Sequence, residues 1–210
     1  MKTKLAILAS GSGSNAQTLW RRFDASHSAA EVVYIGCNRS QSDAGIYDRA
    51  AADGRSVERF TREDLHGGEL RRCLTALGVD WVLLAGFLMK LPPEFISGWP
   101  DQILNIHPAL LPRFGGKGMW GMNVHQAVHA EALEDPSLRE SGMTIHRVNA
   151  AYDKGEIVFQ AKVPIDPSVD TAEDIAGRVL DLEHTYYPRI VESLLLDTRP
   201  PLAPSSPSSP

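Results

Sequence analysis

A chain of 210 residues, 43% hydrophobic and 22% charged, has the composition of one sizeable globular domain. Its formal net charge of -5 excludes a general basic footprint for nucleic acid, and its two cysteines, Cys37 and Cys73, argue against a disulfide framework. No apolar run approaches the ~20 residues of a membrane span and the start lacks a signal-peptide h-region, so a soluble cytoplasmic protein with one core is expected.

Residues 5–9 form an apolar run that predicts a first buried strand. Ser10-Gly11-Ser12-Gly13-Ser14-Asn15 follows, and then a helical pattern through Phe23. Strand, Gly/Ser-rich turn and helix together aim backbone N–H groups at an anion, typically phosphate. A plain flexible turn is the alternative. Gly11-x-Gly13-x-x-Ala16 also fits a loose dinucleotide fingerprint, but Cys37-Asn38-Arg39 stands where that fingerprint expects an acidic residue. Arg39 could serve a 2′-phosphate, which leaves NADP open.

Residues 32–36 predict a second strand, 44–52 an Ala-rich helix and 57–60 a short third strand. Thr61 caps the next helix, with Asp64 completing a weakened capping box, and the pattern continues over 65–77. Residues 81–85 and 103–106 read as further buried strands, separated by a Pro-started helical segment, 93–99. This alternation predicts an α/β fold: a Rossmann-like, mostly parallel twisted sheet flanked by helices. Asn105 and His107, two apart on an extended segment, share a face. Pro108, Pro112, Gly115, Gly116 and Gly118 then turn the strand into an irregular loop. The carboxyl end of such a strand is where open α/β sheets place ligands.

Beyond the loop, Asn123 is a candidate cap for a helix through Ala132. Residues 142–148 alternate as a half-exposed strand, 149–155 form a polar loop, and 157–165 give another strand. With no helix between them, these two strands predict an antiparallel addition to the sheet. Asp170 or Thr171 starts a long helix over 172–196, which Pro188 should kink or split. The folded domain is expected to span 1–197, and the Pro/Ser-rich tail 198–210 to be disordered.

Neither a G-x-S-x-G elbow nor a P-loop signature occurs. His125 and His129 stand i, i+4 but lack the intervening glutamate of a zinc hydrolase, so they read as structural helix-face histidines and no metal is expected. His125 falls near the mouth of the expected site. Asn105, His107 and Asp153 remain, a trio without a covalent nucleophile. It suits an amine attacking a carbonyl: an amide N–H for the oxyanion, an imidazole for proton exchange, and a carboxylate to orient the imidazole. Taken singly, Asn105 and His107 read rather as satisfied polar groups closing a strand, and Asp153 as a turn residue.

Six segments change that balance: LASGSGSNAQTL (8–19), LLAGFLMKL (83–91), LNIHPALLPRFGGKG (104–118), GMTIHRV (142–148), YDKGEIVFQAKVPI (152–165) and DLEHTYYP (181–188). In this order they resemble the phosphoribosylglycinamide formyltransferase family over about residues 4–195. The resemblance implies transfer of the formyl group of 10-formyltetrahydrofolate, a co-substrate, to the amine of glycinamide ribonucleotide in purine synthesis. It makes Asn105, His107 and Asp153 catalytic, Gly13, Ser14 and Asn15 the phosphate loop, and Glu183 a ribonucleotide contact. For the folate it implies Arg62, Leu88, Met89, Lys90, Leu91, Asn149, Ala150, Ala151 and Tyr152. It also implies small-molecule partners, with neither nucleic acid nor membrane, and a monomer or homodimer.

The NIHPALLP block is shared with methionyl-tRNA formyltransferase, from which the GSGSN loop and short chain are expected to separate this sequence. A sister formyltransferase on another amine, a formyltetrahydrofolate hydrolase, an NADP oxidoreductase and a silent nucleotide-binding module are the rivals. Three departures from the family pattern stand out: Met89-Lys90 where an arginine is common, the variant loop 115–124, and Lys154 where a second glycine is common.

Overall fold

The computed structural model describes residues 1–26, 28–150, 153 and 155–196. Seven strands form one sheet in the order β3-β2-β1-β4-β5-β6-β7. They are β1 (Thr3–Ala9), β2 (Ala30–Cys37), β3 (Glu58–Arg59), β4 (Trp81–Leu84), β5 (Ile103–His107), β6 (Glu140–Arg147) and β7 (Ile157–Pro164). The first five pair in parallel, and β6 and β7 add antiparallel, as the strand and helix alternation predicts.

Alternation along β1 assigns the two faces. Leu5, Ile7 and Ala9 join one apolar cluster, and Ala6 and Leu8 join the other. On the first face pack α1 (Ser14–Phe23), α6 (Met122–Glu134) and α7 (Ala172–Leu195). The second face carries α3 (Arg62–His66), α4 (Glu69–Ala76) and α5 (Pro93–Ile96). α1 docks because Ala16, Leu19, Trp20 and Phe23 recur at i, i+3, i+4 and i+7, and all four are buried. α7 begins at Thr171, whose full capping box with Asp174 satisfies donors at the helix start. Its Tyr187 hydroxyl sits beneath the sheet, 3.0 Å from the Leu84 carbonyl and 3.2 Å from that of Leu104. One side chain thus ties α7 to β4 and β5, the strands that carry the site.

Several elements differ from expectation. The helix expected to continue from Thr61 is two pieces, α3 and α4, because Gly68 takes φ 82 between them. The capping box at Thr61 is complete rather than weakened. α2 (Ile46–Ala52) begins two residues late, after a 3-10 turn at Gln41–Asp43, and β3 is a two-residue edge strand. Asn123 does not cap α6; Gly121 holds that position, and the Asn123 amide donates instead to the Gly118 carbonyl, 3.2 Å away. α7 runs in one piece through Pro188, which is buried against the core. β6 is buried along both faces rather than half exposed: α7 packs on the face of Met143 and Ile145, and the loop after β5 meets the other through Ala109 and Leu111 at Thr144. The tail 198–210 lies outside the described residues. Among the described residues no helix is long and apolar enough to cross a membrane.

Candidate active site

A cavity of about 570 Å³ opens where β1, β4 and β5 end, its walls completed by the loop after β5, by α6 and by α7. Ser12, Ser14 and Asn15 line it at one end, Asn105, His107 and Asp153 at the other. Residues from four distant segments thereby share one space.

The first end is built from backbone. Gly13 caps α1 in the left-handed region at φ 75, and a Cβ there would lie 2.6 Å from Ile46. Only glycine meets both conditions. Just beyond, the Asn15 amide donates to Glu183, 2.7 Å away on α7, while the Asn15 Oδ1 is buried with no hydrogen-bond partner. A buried acceptor without a donor points to a ligand group. Burial pushes the Glu183 carboxyl up to about 7, against the opposing Asn15 hydrogen bond. Its charge state therefore responds to whatever binds beside it.

The second end is built from side chains on paired strands. Antiparallel register sets Asn105 opposite His146, and His107 opposite Thr144. His146 Nδ1 lies 2.9 Å from the Arg147 carbonyl, which assigns its proton to Nδ1. Its Nε2 then accepts from the Asn105 amide at 3.0 Å. This fixes which way the amide faces and leaves its second N–H for the cavity. His107, buried, donates through Nε2 to the Phe114 carbonyl at 2.8 Å. Its Nδ1 faces Asp153 Oδ2 at 3.8 Å. Burial lowers the His107 pKa, opposed by Asp153 and the Phe114 carbonyl, so the resting ring is neutral with its proton on Nε2.

Asp153 ties these groups together. Its Oδ2 accepts the Gly116 N–H at 2.8 Å, and its Oδ1 lies 3.5 Å from His146 Nε2. Burial alone would raise this carboxyl, but the His146 contact, the Gly116 N–H and the two imidazoles outweigh it, and its pKa is lowered. Asp153 holds positive φ, 50, as does Phe114, 57, whose carbonyl faces His107; among the described residues Asp101 is the third such non-glycine position.

Not every expected residue meets in the cavity. Leu88 lines it, and its N–H donates to the Ser10 hydroxyl at 3.0 Å. Met89 accepts at sulfur from the Asn38 amide at 3.1 Å, and Leu91 packs in the core. Arg62 is exposed on α3, and Lys90, Asn149 and Ala150 are in loops; none of these six lines the cavity. Ala151 and Tyr152 lie outside the described residues.

His146 escaped the sequence reading, which set it on the outer face of an alternating strand. The available signal was the pairing itself: once the segments before Pro108 and around Ile145 are antiparallel neighbours, His146 falls beside Asn105. His125 falls at the cavity, where the sequence places it. It lines the cavity, is buried with Nδ1 unpartnered, and burial with the nearby His107 pushes its pKa down to about 4. Among the described residues no group of three or more His, Cys, Asp or Glu could hold a metal ion.

The fold and cavity define an α/β protein whose polar site gathers at the carboxyl ends of parallel strands and their first antiparallel neighbour. Residues 3–191 match the formyl transferase family, and the chain belongs to that family. It is 40% identical over 199 residues to the chloroplastic phosphoribosylglycinamide formyltransferase of Arabidopsis thaliana, covering 92% of this chain. It spans only 65% of that relative's length. The Haemophilus influenzae phosphoribosylglycinamide formyltransferase is 35% identical over 197 residues, covering 90% of this chain and 85% of its own. Among solved structures, the Anaplasma phagocytophilum phosphoribosylglycinamide formyltransferase superposes with a TM-score of 0.80 at 31% identity, over 94% of this chain and 88% of that one.

Proposed function

We propose that this protein transfers the formyl group of 10-formyltetrahydrofolate to the primary amine of glycinamide ribonucleotide, releasing tetrahydrofolate. One observation carries the proposal: the Asn105, His107 and Asp153 trio opens into the same cavity as the Ser12–Asn15 turn, a phosphate cradle beside a proton-transfer site. The names of the relatives point in the same direction. Residues 1–197 are taken as the catalytic unit.

In this reading the ribonucleotide phosphate sits on the N–H groups that open α1, and Glu183 accepts from the glycyl amine. The amine lone pair forms the new C–N bond as the formyl π pair moves onto oxygen. The free N–H of Asn105 receives that developing oxyanion. The proton lost by the amine ends on the folate nitrogen as the old C–N bond breaks, so no acyl-enzyme forms. His107 and Asp153 stand ready to carry or stabilise that proton: protonation at Nδ1 converts their 3.8 Å contact into an ion pair. Holding the two substrates in register supplies much of the remaining acceleration. The folate fits along Leu88, with Asn149, Ala150 and Arg62 as outer contacts.

Incubating purified protein with both substrates and following folate absorbance tests the proposal. Formation of tetrahydrofolate that depends on glycinamide ribonucleotide is the expected result. Turnover with a different amine would keep the chemistry and discard the substrate. Formate release without any amine would make the protein a hydrolase.

A further inference from the structure

We propose that Arg49, which does not line the cavity, is the positioning residue that orients the phosphate loop, acting from behind through the Ser12 peptide; this rests on the phosphate reading above. An anion site made of backbone works only if its N–H groups face the ligand and its carbonyls face away. In the turn after β1 the carbonyls are held from outside the cavity. The Gly11 carbonyl accepts the Ile46 N–H at 3.3 Å, and that of Gly13 accepts the Gln17 N–H at 2.8 Å. The Asn15 carbonyl accepts the Thr18 hydroxyl at 2.8 Å. The Ser12 carbonyl is held by a cation: Arg49 Nε donates to it at 3.0 Å.

The guanidinium is itself aimed. Its Nη1 donates to Gln17 Oε1 at 2.9 Å, and the Gln17 amide donates in turn to Asp53 at 3.1 Å. Asp53 is fixed by the Trp20 indole N–H at 2.8 Å and by Arg21 at 2.7 Å. A chain of charge-assisted bonds therefore runs from Asp53 through Gln17 and Arg49 to one peptide of the cradle. Two consequences follow for a bound phosphate. The Ser12 carbonyl dipole is prevented from rotating toward the anion, and a positive charge stands behind the loop. Among the described residues Lys117 is the only lysine or arginine lining the cavity, so charge from the rear matters more. Arg49 is exposed, and its loss leaves no core void.

The test pairs Arg49→Met with Arg49→Lys and Gln17→Leu, using ribose 5-phosphate as the calorimetric probe and steady-state kinetics as the second readout. Arg49→Met is expected to weaken ribose 5-phosphate about tenfold and raise KM for the ribonucleotide similarly. Turnover number, folate KM and melting temperature should stay near those of the parent. Arg49→Lys should recover part of the loss, since an ammonium can reach the carbonyl but cannot bridge to Gln17 as a fork does. Gln17→Leu should fall between. Parent and Arg49→Met binding ribose 5-phosphate equally would overturn this inference and leave the phosphate site standing. Absence of binding by the parent would overturn both. A fall in turnover number with KM unchanged would also overturn it.

Discussion

The two ends of the cavity are built on opposite principles. At the turn after β1 the polar groups are main-chain N–H groups, held by a helix start, a left-handed glycine and donors arriving from behind. At the end of β5 they are side chains, three of them titratable, joined by contacts of 3.0–3.8 Å; burial lowers the His107 pKa, and the groups facing Asp153 lower that of its carboxyl. Under the proposed function the division follows from what each end does. A phosphate keeps its charge through the reaction, and fixed dipoles suit it. A formyl carbon passes through a short-lived oxyanion while a proton moves, which calls for groups that can change charge. Binding and chemistry should therefore separate under mutation.

The largest expected effect tests that separation at the chemical end. His107→Ala and Asp153→Asn should each lower turnover by about 10²–10⁴-fold, while ribose 5-phosphate binding, read by calorimetry, changes less than about twofold, since neither side chain touches the cradle. Equal losses of turnover and binding would merge the two ends into one functional unit. Asp153→Asn is the sharper variant. It keeps the volume and an acceptor for the Gly116 N–H, and removes only the charge facing the two histidines.

At the other end Gly13→Ala should reverse the pattern. The new methyl would meet Ile46 at 2.6 Å from a φ of 75 that alanine rarely adopts. Strain of about 1–3 kcal/mol is expected, relieved by moving the loop off its cradle. Phosphate binding should weaken at least about tenfold, judged against about 1.4 kcal/mol per factor of ten. Turnover at saturating ribonucleotide should fall far less. A variant with intact binding would show that the loop tolerates displacement and that backbone placement is not what holds the anion.

The sequence was most legible where one physical cause dominates. Parallel strands covered on both faces need continuous apolar runs, and 5–9, 32–36, 81–85 and 103–106 supply them. The Asn105-Ile106-His107-Pro108 step was legible for a similar reason, because period-two geometry and a ladder-breaking proline leave few other arrangements. Misreadings arose where tertiary context competes with local pattern. Thr144 and His146 look like an exposed face by polarity, yet both are buried: Thr144 bonds to Ala109, Leu111 and Gln160, and His146 to Asn105 and the Arg147 carbonyl. The Gly67-Gly68 break was hidden by the helical spacing of Leu70, Cys73, Leu74 and Leu77 after it, although Leu65 and Leu70, five apart, do not keep that spacing across it. Pro188 was expected to interrupt α7, but the helix persists because its flanks are anchored by buried Tyr187 and Ile190.

The smallest effect expected sits where the two ends meet, at Glu183. In the unfolded chain this carboxyl titrates near 4.5, and in the folded protein burial holds it near 7. Below 4.5 it is protonated in both states and burying it costs no charge. Between those values the folded protein retains a proton that the unfolded chain has lost, so its stabilising contribution fades as pH rises and is gone above 7. Glu183→Gln abolishes this dependence. Against the parent it should gain roughly 3 kcal/mol between pH 4.5 and pH 8, since each pH unit separating the folded and unfolded titrations is worth about 1.4 kcal/mol. Denaturant melts at the two pH values read this gain. The same variant should bind glycinamide ribonucleotide more weakly while leaving ribose 5-phosphate unaffected, because the missing carboxylate faces the amine and not the phosphate. Parallel stability curves for parent and variant would show that the folded carboxyl titrates normally. A variant that gains stability at pH 8 and loses only the amine ligand would place Glu183 with the groups that change charge, although it touches the cradle through Asn15.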